Sequence, residues 1–147
     1  MNHIRTPCIG ICSTTSFGDR ICRGCKRFGF EVINWNTYSE AEKRAVMSRI
    51  QQFTDQLMMS RFRIFSVQRL QDAMMDFRFF HDPALSPYCW LHGLLQKHLH
   101  RISTLQEIGV ALQTAYAGRD LRDILDELNE ELIVLSEAHY ERYFQRC

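Results

Sequence analysis

Long apolar runs are missing from this sequence. No stretch approaches the ~18 consecutive apolar residues that span a bilayer. Residues 1–5 contain no apolar stretch of the signal-peptide type. We therefore expect a cytoplasmic protein that makes no membrane contact. In a reducing compartment, closely spaced cysteines are more often metal ligands or redox groups than disulfides.

Signatures of catalysis are missing as well. The chain has no nucleophile elbow, phosphate loop, dinucleotide fingerprint or paired-carboxylate site, so neither an enzyme nor a small-molecule substrate is expected. The net charge of +1 lacks the basic excess of a DNA-coating protein. That balance hides an asymmetry: residues 1–70 carry eleven Lys and Arg against five Asp and Glu, and residues 71–147 carry seven against twelve.

Glycine and proline are scarce, at seven and three of 147 residues, while 46% of the chain is hydrophobic. This composition is typical of a globular protein and argues against disorder. Apolar residues recur at helical spacing, and Ser39, Ser66 and Ser86 stand where helices would begin. Ser39 and Glu42 also form a capping-box pattern, and Thr37 with Glu40 gives a second register for it. The predicted helices span about 40–59, 67–80, 87–117 (with a break near 103) and 121–145.

Four cysteines within 18 residues form the strongest pattern in the chain. Their spacing is C-x3-C-x9-C-x2-C, at Cys8, Cys12, Cys22 and Cys25. Two thiolates separated by two or three residues can hold one metal ion across a tight turn, where Gly10 and Gly24 relieve steric clashes. So short a segment cannot bury enough apolar surface to fold unaided. The metal would therefore supply its core.

These patterns predict a mainly α protein in two parts. Residues 1–36 form a four-cysteine metal module, and residues 37–147 form a bundle of about four to five helices. Trp35 is predicted to be a buried joint between the module and the first long helix, with base stacking as the alternative. The aromatic rings available to shield the metal from water are Phe17, Phe28 and Phe30.

Two kinds of metal site use this ligand set. Tetrahedral zinc and an iron–sulphur cluster are both held by four cysteine thiolates. The compact C-x2-C knuckle favours a structural zinc ion. A redox dithiol is disfavoured, because the strand–helix context of a thioredoxin-type site is absent.

Basic residues lie within and beside the second cysteine pair, at Arg20, Arg23, Lys26 and Arg27. Four thiolates around one zinc ion leave a net negative charge, which these side chains would offset. The alternative is that they contact a partner, such as the phosphate backbone of RNA.

The first third of the chain resembles a known family. The stretches that carry the likeness are Thr6–Cys12, Ile21–Arg27, Glu31, Ile33–Trp35 and Ser39–Ala45. They are similar to the bacterial domain of unknown function 1289 family, although the Glu-Ile step of that family is displaced here by one position. The resemblance covers about residues 6–50. It implies the same four cysteines as ligands and a frequent description as predicted iron–sulphur proteins, and it implies no activity.

The remaining candidates have simpler interpretations. His92, His98 and His100, with Glu107, do not converge on one helix face and are interpreted as surface or capping residues. Cys89 is interpreted as a buried thiol, and Cys147 as a residue outside the site. The acidic last helix is expected to be solvated or to dock on a basic surface.

Two functional hypotheses follow. The first is a non-catalytic metal-binding protein, in which the four-cysteine site stabilises a basic knuckle that contacts a protein or RNA. The second is an iron–sulphur redox or sensor protein that uses the same four cysteines as cluster ligands.

Overall fold

The computed structural model describes residues 7, 9, 12–14 and 18–144. Its regular elements, in chain order, are α1 (Gly29–Asn34), α2 (Glu40–Arg61), β1 (Phe62–Ile64), α3 (Val67–Asp76), α4 (Pro87–His98), β2 (Val110–Leu112) and α5 (Leu121–Tyr143). Short 3-10 turns occur at Trp35–Thr37, Leu99–Arg101, Gln106–Ile108 and Thr114–Tyr116. The predicted mainly α class is confirmed.

The chain divides into two compact units. The first combines Met1–Phe53 with Glu130–Cys147, and the second is Thr54–Asn129. The boundary predicted after residue 36 separates a metal-dependent module from the helical part. The division into compact units does not test that boundary, which stays a prediction.

The core of the first unit is aromatic. Ile21, Phe28 and Ile133 are buried together, and Phe30 and Tyr140 pack against them. Ile21 and Phe28 also form an antiparallel bridge, which closes the segment that holds the second cysteine pair. Burying an aromatic side chain of this size contributes about 1.5–3 kcal/mol.

The second unit contains a short sheet among helices. Strand β1 pairs antiparallel with β2, with Phe62 opposite Leu112 and Ile64 opposite Val110. Helix α3 contacts α4 and the 3-10 turn at Gln106–Ile108. The fully buried side chains of this unit are Met58, Arg61, Phe62, Leu70, Leu91, Leu94, Leu95, Val110, Ile124 and Leu128.

The predicted helix starts are confirmed at three serines. The Ser39 hydroxyl accepts from the Glu42 N–H at 3.2 Å, and the Glu42 carboxylate accepts from the Ser39 N–H at 3.1 Å, which is a capping box. The hydroxyls of Ser66 and Ser86 accept from the N–H groups of Arg69 and Cys89. Each bond satisfies a backbone donor that the helix itself leaves without a partner.

Two predicted helices are too long. The helix expected over 67–80 ends at Asp76, because Arg78 is left-handed (φ 53°). The N–H of Phe79 then bonds to the carbonyl of Met74, and that of Arg78 to the carbonyl of Met75. This is a Schellman cap, which usually has glycine at the left-handed position.

The second correction concerns the helix expected over 87–117. Helix α4 ends at His98, before the break allowed near residue 103, and residues 110–112 are a strand. The segment 110–112 lacks a local signal for a strand, and pairing with β1 decides its conformation. Helix α5 follows the predicted last helix to Tyr143, and residues 145–147 lie outside the described part. Among the helices described, none combines the length and the apolar character needed to cross a membrane.

Gly109 provides a test of the strand pairing. Its φ is +77°, and its carbonyl accepts from the N–H groups of Phe65 and Ser66. A Cβ there would overlap the Ser66 carbonyl oxygen and lie 2.9 Å from Cβ of Arg69. Gly109→Ala should therefore lower the free energy of unfolding by about 2–5 kcal/mol, from left-handed strain plus overpacking. Chemical denaturation measures this change.

The matched control is Gly118→Ala. Gly118 has a similar φ of +80°, but a Cβ there meets nothing within 4 Å. Gly118→Ala should therefore lower the free energy of unfolding by the left-handed strain alone, roughly 1–2 kcal/mol. Equal costs at the two glycines would contradict the close approach at Gly109.

Candidate metal centre

The second cysteine pair lies on a tight knuckle. The N–H of Cys22 donates to the carbonyl of Arg27 at 2.8 Å, and the carbonyl of Cys22 accepts from the N–H of Lys26 at 2.8 Å. Lys26 is left-handed at φ 67°. Its ammonium folds back onto the turn and donates to the carbonyls of Gly24, at 3.0 Å, and of Arg23. These bonds hold two cysteines on one side of a turn.

The sulphur of Cys22 is fully buried and surrounded by donors. Burial alone would raise the pKa of this thiol. Hydrogen bonds from the backbone N–H groups of Cys25, Ser13 and Gly24, and from the Cys25 thiol, outweigh burial and lower the pKa to about 6. A thiolate at neutral pH is the form of cysteine that binds a metal.

The sulphur of Cys25 has a different environment. Burial raises the pKa of this thiol, while the Arg27 guanidinium opposes the rise by donating to Cys25 Sγ at 3.2 Å. Arg27 is itself only 3% exposed. The two sulphurs are therefore held by different donors, backbone at Cys22 and a buried cation at Cys25.

Ser13 connects Cys12 to the second cysteine pair. Its backbone N–H is directed at the Cys22 sulphur, and its hydroxyl accepts from the N–H of Arg23 at 2.8 Å. Ser13 directly follows Cys12, so the end of the first pair lies against the second pair. The sequence signal was a small hydroxyl residue next to a predicted ligand, which sequence reasoning did not use.

Three of the four predicted ligands are described. Cys12 is half-buried, Cys22 and Cys25 are buried, and Cys8 lies outside the described residues. Within the described part of the chain, no group of three His, Cys, Asp or Glu side chains is arranged to hold a metal ion. The donor chemistry of the knuckle nevertheless fits a thiophilic metal, because it combines paired thiols with N–H groups that stabilise negative sulphur.

Comparison with known proteins adds the family. Residues 6–54 match the family described as "Protein of unknown function (DUF1289)". We call this matching stretch, residues 6–54, the DUF1289 segment.

Curated relatives match the same part of the chain. They are the uncharacterized proteins YdhL of Escherichia coli (strain K12), of Shigella flexneri and of Escherichia coli O6:H1, each 43% identical over 44 residues. The matched stretch is 30% of this chain, and the chain spans about half, 53%, of each relative. No solved structure matches the chain significantly.

A buried ion pair joins the knuckle of the DUF1289 segment to its long helix. Glu31 is 3% exposed, and its carboxylate accepts two hydrogen bonds from the Arg49 guanidinium, at 2.6 and 2.7 Å. The same carboxylate accepts from the N–H of Phe28 at 2.8 Å, and Arg49 stacks 3.9 Å from the Phe28 ring centre. Sequence reasoning noted Glu31 only through the family likeness and missed Arg49, which is 18 residues away.

The four basic residues of the DUF1289 segment divide into two classes. Lys26 and Arg27 are buried against the knuckle, as described above. The Arg20 and Arg23 side chains are 40% and 52% exposed, and they pair with Glu141 and Glu130 of α5. The last helix, which was expected to be solvated or docked on a basic surface, therefore brings two glutamates to this surface.

Trp35 is confirmed as a buried joint at 6% exposure. The Arg27 guanidinium from the knuckle lies 4.9 Å from its ring centre, and the Lys43 ammonium from α2 lies at 5.8 Å. Both contacts are cation–π interactions. A ring covered in this way is not available for base stacking.

The other candidates lie in the second unit. His92 shares a polar contact with Asn129 at 3.4 Å, and His98 packs against the ring of Phe77. Cys89 donates to the Asp55 carboxylate at 3.2 Å, and burial together with that carboxylate raises its pKa to about 12. It is a neutral thiol rather than a nucleophile. His100 and Glu107 take part in no metal-binding group among the described residues.

The buried ion pair generates a stability prediction. Arg49→Met leaves the Glu31 carboxylate buried without its cation, so the free energy of unfolding should fall by about 3–5 kcal/mol. Chemical denaturation measures this loss. The double variant Glu31→Gln/Arg49→Met should lose less than the sum of the two single changes, because the two residues are coupled.

The matched control is Glu130→Gln, which removes an exposed carboxylate paired with Arg23. Exposed pairs contribute at most about 1 kcal/mol. An Arg49→Met loss no larger than that of the control would refute the importance of the buried pair.

Proposed function

We propose that this chain is a non-catalytic metal-binding protein. Cys8, Cys12, Cys22 and Cys25 hold one structural metal ion, and the metal stabilises a module that contacts another protein. The observation that carries this proposal is Ser13, which follows Cys12 directly and whose hydroxyl accepts from the N–H of Arg23, between Cys22 and Cys25, at 2.8 Å. Cys12 is therefore next to a residue that contacts the second cysteine pair, which supports its assignment as a ligand beside Cys22 and Cys25.

Zinc is the metal that we propose. A fully buried Cys22 and a nearly buried Cys25 suit a closed structural site rather than one that exchanges ligands with solvent. A structural zinc ion supplies on the order of 10 kcal/mol or more of folding free energy in units of this size. The alternative is an iron–sulphur cluster on the same cysteines, and metal analysis distinguishes it from zinc.

A protein partner fits the surface better than a nucleic acid. Lys26 and Arg27 are buried, and Arg20 and Arg23 are paired with glutamates. Phosphate binding depends on accessible cations that release counterions. We therefore propose that the basic residues serve the metal site and the packing of the first unit.

Metal content tests the ligand assignment. Protein purified anaerobically should contain about one zinc ion per chain by elemental analysis, with no visible absorption band. Cys22→Ser and Cys25→Ser should each lose most of the metal, because a neutral hydroxyl is a poor replacement for a thiolate.

Cys89→Ser is the matched control, since it makes the same change outside the module and should keep the metal. Zinc retained at wild-type stoichiometry in the Cys22 and Cys25 variants would refute the assignment. Iron together with an equal amount of sulphide would show that the cysteines hold an iron–sulphur cluster and not zinc.

Metal removal tests the structural role. The chain has two tryptophans, so Trp90→Phe leaves Trp35 as the single fluorescent reporter, inside the first unit. Chelation should expose the buried Trp35 ring and shift its emission to longer wavelength, and added zinc should reverse the shift. Emission that stays constant while the metal leaves would contradict a structural metal.

A further inference from the structure

The aromatic face of the DUF1289 segment has the composition of a helix-binding surface. Phe28 and Phe30 lie on it, and the second half of α5 covers them. The Phe28 ring centre is 5.2 Å from that of Tyr140 and 5.4 Å from that of Phe144. Phe30 lies 5.4 Å from Phe144, and Ile133 joins the same cluster. The covering residues are spaced i, i+7 and i+11, which is one face of a helix.

Two charged pairs join this face to the covering segment of α5. The Arg20 guanidinium lies 3.6 Å from the Glu141 carboxylate and 5.0 Å from the Tyr140 ring centre. Arg23 pairs with Glu130, three residues before Ile133. The covering helix therefore combines an apolar stripe with a glutamate near each end, and the receiving face has an arginine to match each one.

The covering helix comes from outside the family segment. The family match ends at residue 54, and residues 55–129 separate it from the part of α5 that completes its core. The cover buries Ile21 and Phe28 but leaves Phe30 half-buried, and Phe144 of the covering segment is 49% exposed. A face that takes its apolar partner from a distant part of the chain resembles the helix-in-groove mode of recognition.

We propose that the face formed by Ile21, Phe28 and Phe30, bordered by Arg20 and Arg23, is the docking site for an acidic amphipathic helix of a partner protein. Residues 130–144 of the chain occupy it as an intramolecular ligand. This inference deepens the proposed interaction function, on which it rests, by naming the class of partner. The covalent connection gives the resident helix a high effective concentration, which a partner must overcome.

Peptide binding in trans tests the docking site. The probe is a fluorescent synthetic peptide of residues 130–144, titrated into the full-length protein and followed by anisotropy. Tyr140→Ala/Phe144→Ala in the protein weakens the resident helix, so this variant should bind the peptide at least about ten-fold more tightly than the wild type. Val134→Ala is the matched control, because Val134 is 62% exposed on the same helix and should leave peptide binding at the wild-type value.

A second variant protects the test against failure to fold. Glu130→Arg/Glu141→Arg in the protein removes the two charged pairs without removing apolar surface, and it should also bind the peptide more tightly than the wild type. A peptide with the same two changes should bind weakly to that variant, and binding should be restored when the protein carries Arg20→Glu/Arg23→Glu as well.

Three results would overturn the docking site. The first is that folded variants of neither kind bind the peptide. The second is that wild type and variants bind the peptide equally. The third is that exchanging the charges between peptide and protein leaves the affinity unchanged. The protein could instead form a dimer by exchanging α5 and fail to bind the peptide. That result would show that the occupant of the face is a second copy of this chain and not a partner protein. Zinc measured in the same samples separates the proposals: metal without peptide binding overturns this inference alone, and peptide binding without metal overturns the metal site alone.

Discussion

The sulphur of Cys22 receives hydrogen bonds from the backbone N–H groups of Ser13, Gly24 and Cys25, in a fully buried position. Burying a negatively charged sulphur costs folding free energy unless a cation or a metal ion balances its charge. The knuckle supplies N–H donors, Arg27 donates to the neighbouring sulphur of Cys25, and Ser13, next to Cys12, contacts the backbone of Arg23 between Cys22 and Cys25.

Glu31 extends the arrangement from the knuckle to the helices. Its carboxylate accepts from the N–H of Phe28, just after the knuckle, and from Arg49 on α2. Trp35, between Arg27 and Lys43, makes a second connection between the knuckle and the same helix. Of the basic residues near the cysteines, Lys26 and Arg27 are buried, and Arg20 and Arg23 pair with Glu141 and Glu130.

Local features of this chain were predictable from its sequence, and distant contacts were not. The caps at Ser39, Ser66 and Ser86 depend on residues three positions away, and the spacing of the cysteines is visible directly. The pairing of β1 with β2 and the Glu31–Arg49 ion pair join residues far apart in sequence, so neither leaves a periodic pattern. The end of α3 was missed because arginine, not glycine, adopts the left-handed conformation there.

Zinc K-edge X-ray absorption of the purified protein tests the central claim most directly, because it counts the sulphur atoms around the metal, including that of Cys8. The account predicts four sulphur neighbours at about 2.3 Å. Nitrogen or oxygen in place of one or more sulphurs would contradict the four-cysteine site, and protein that contains neither zinc nor iron would contradict a metal centre altogether.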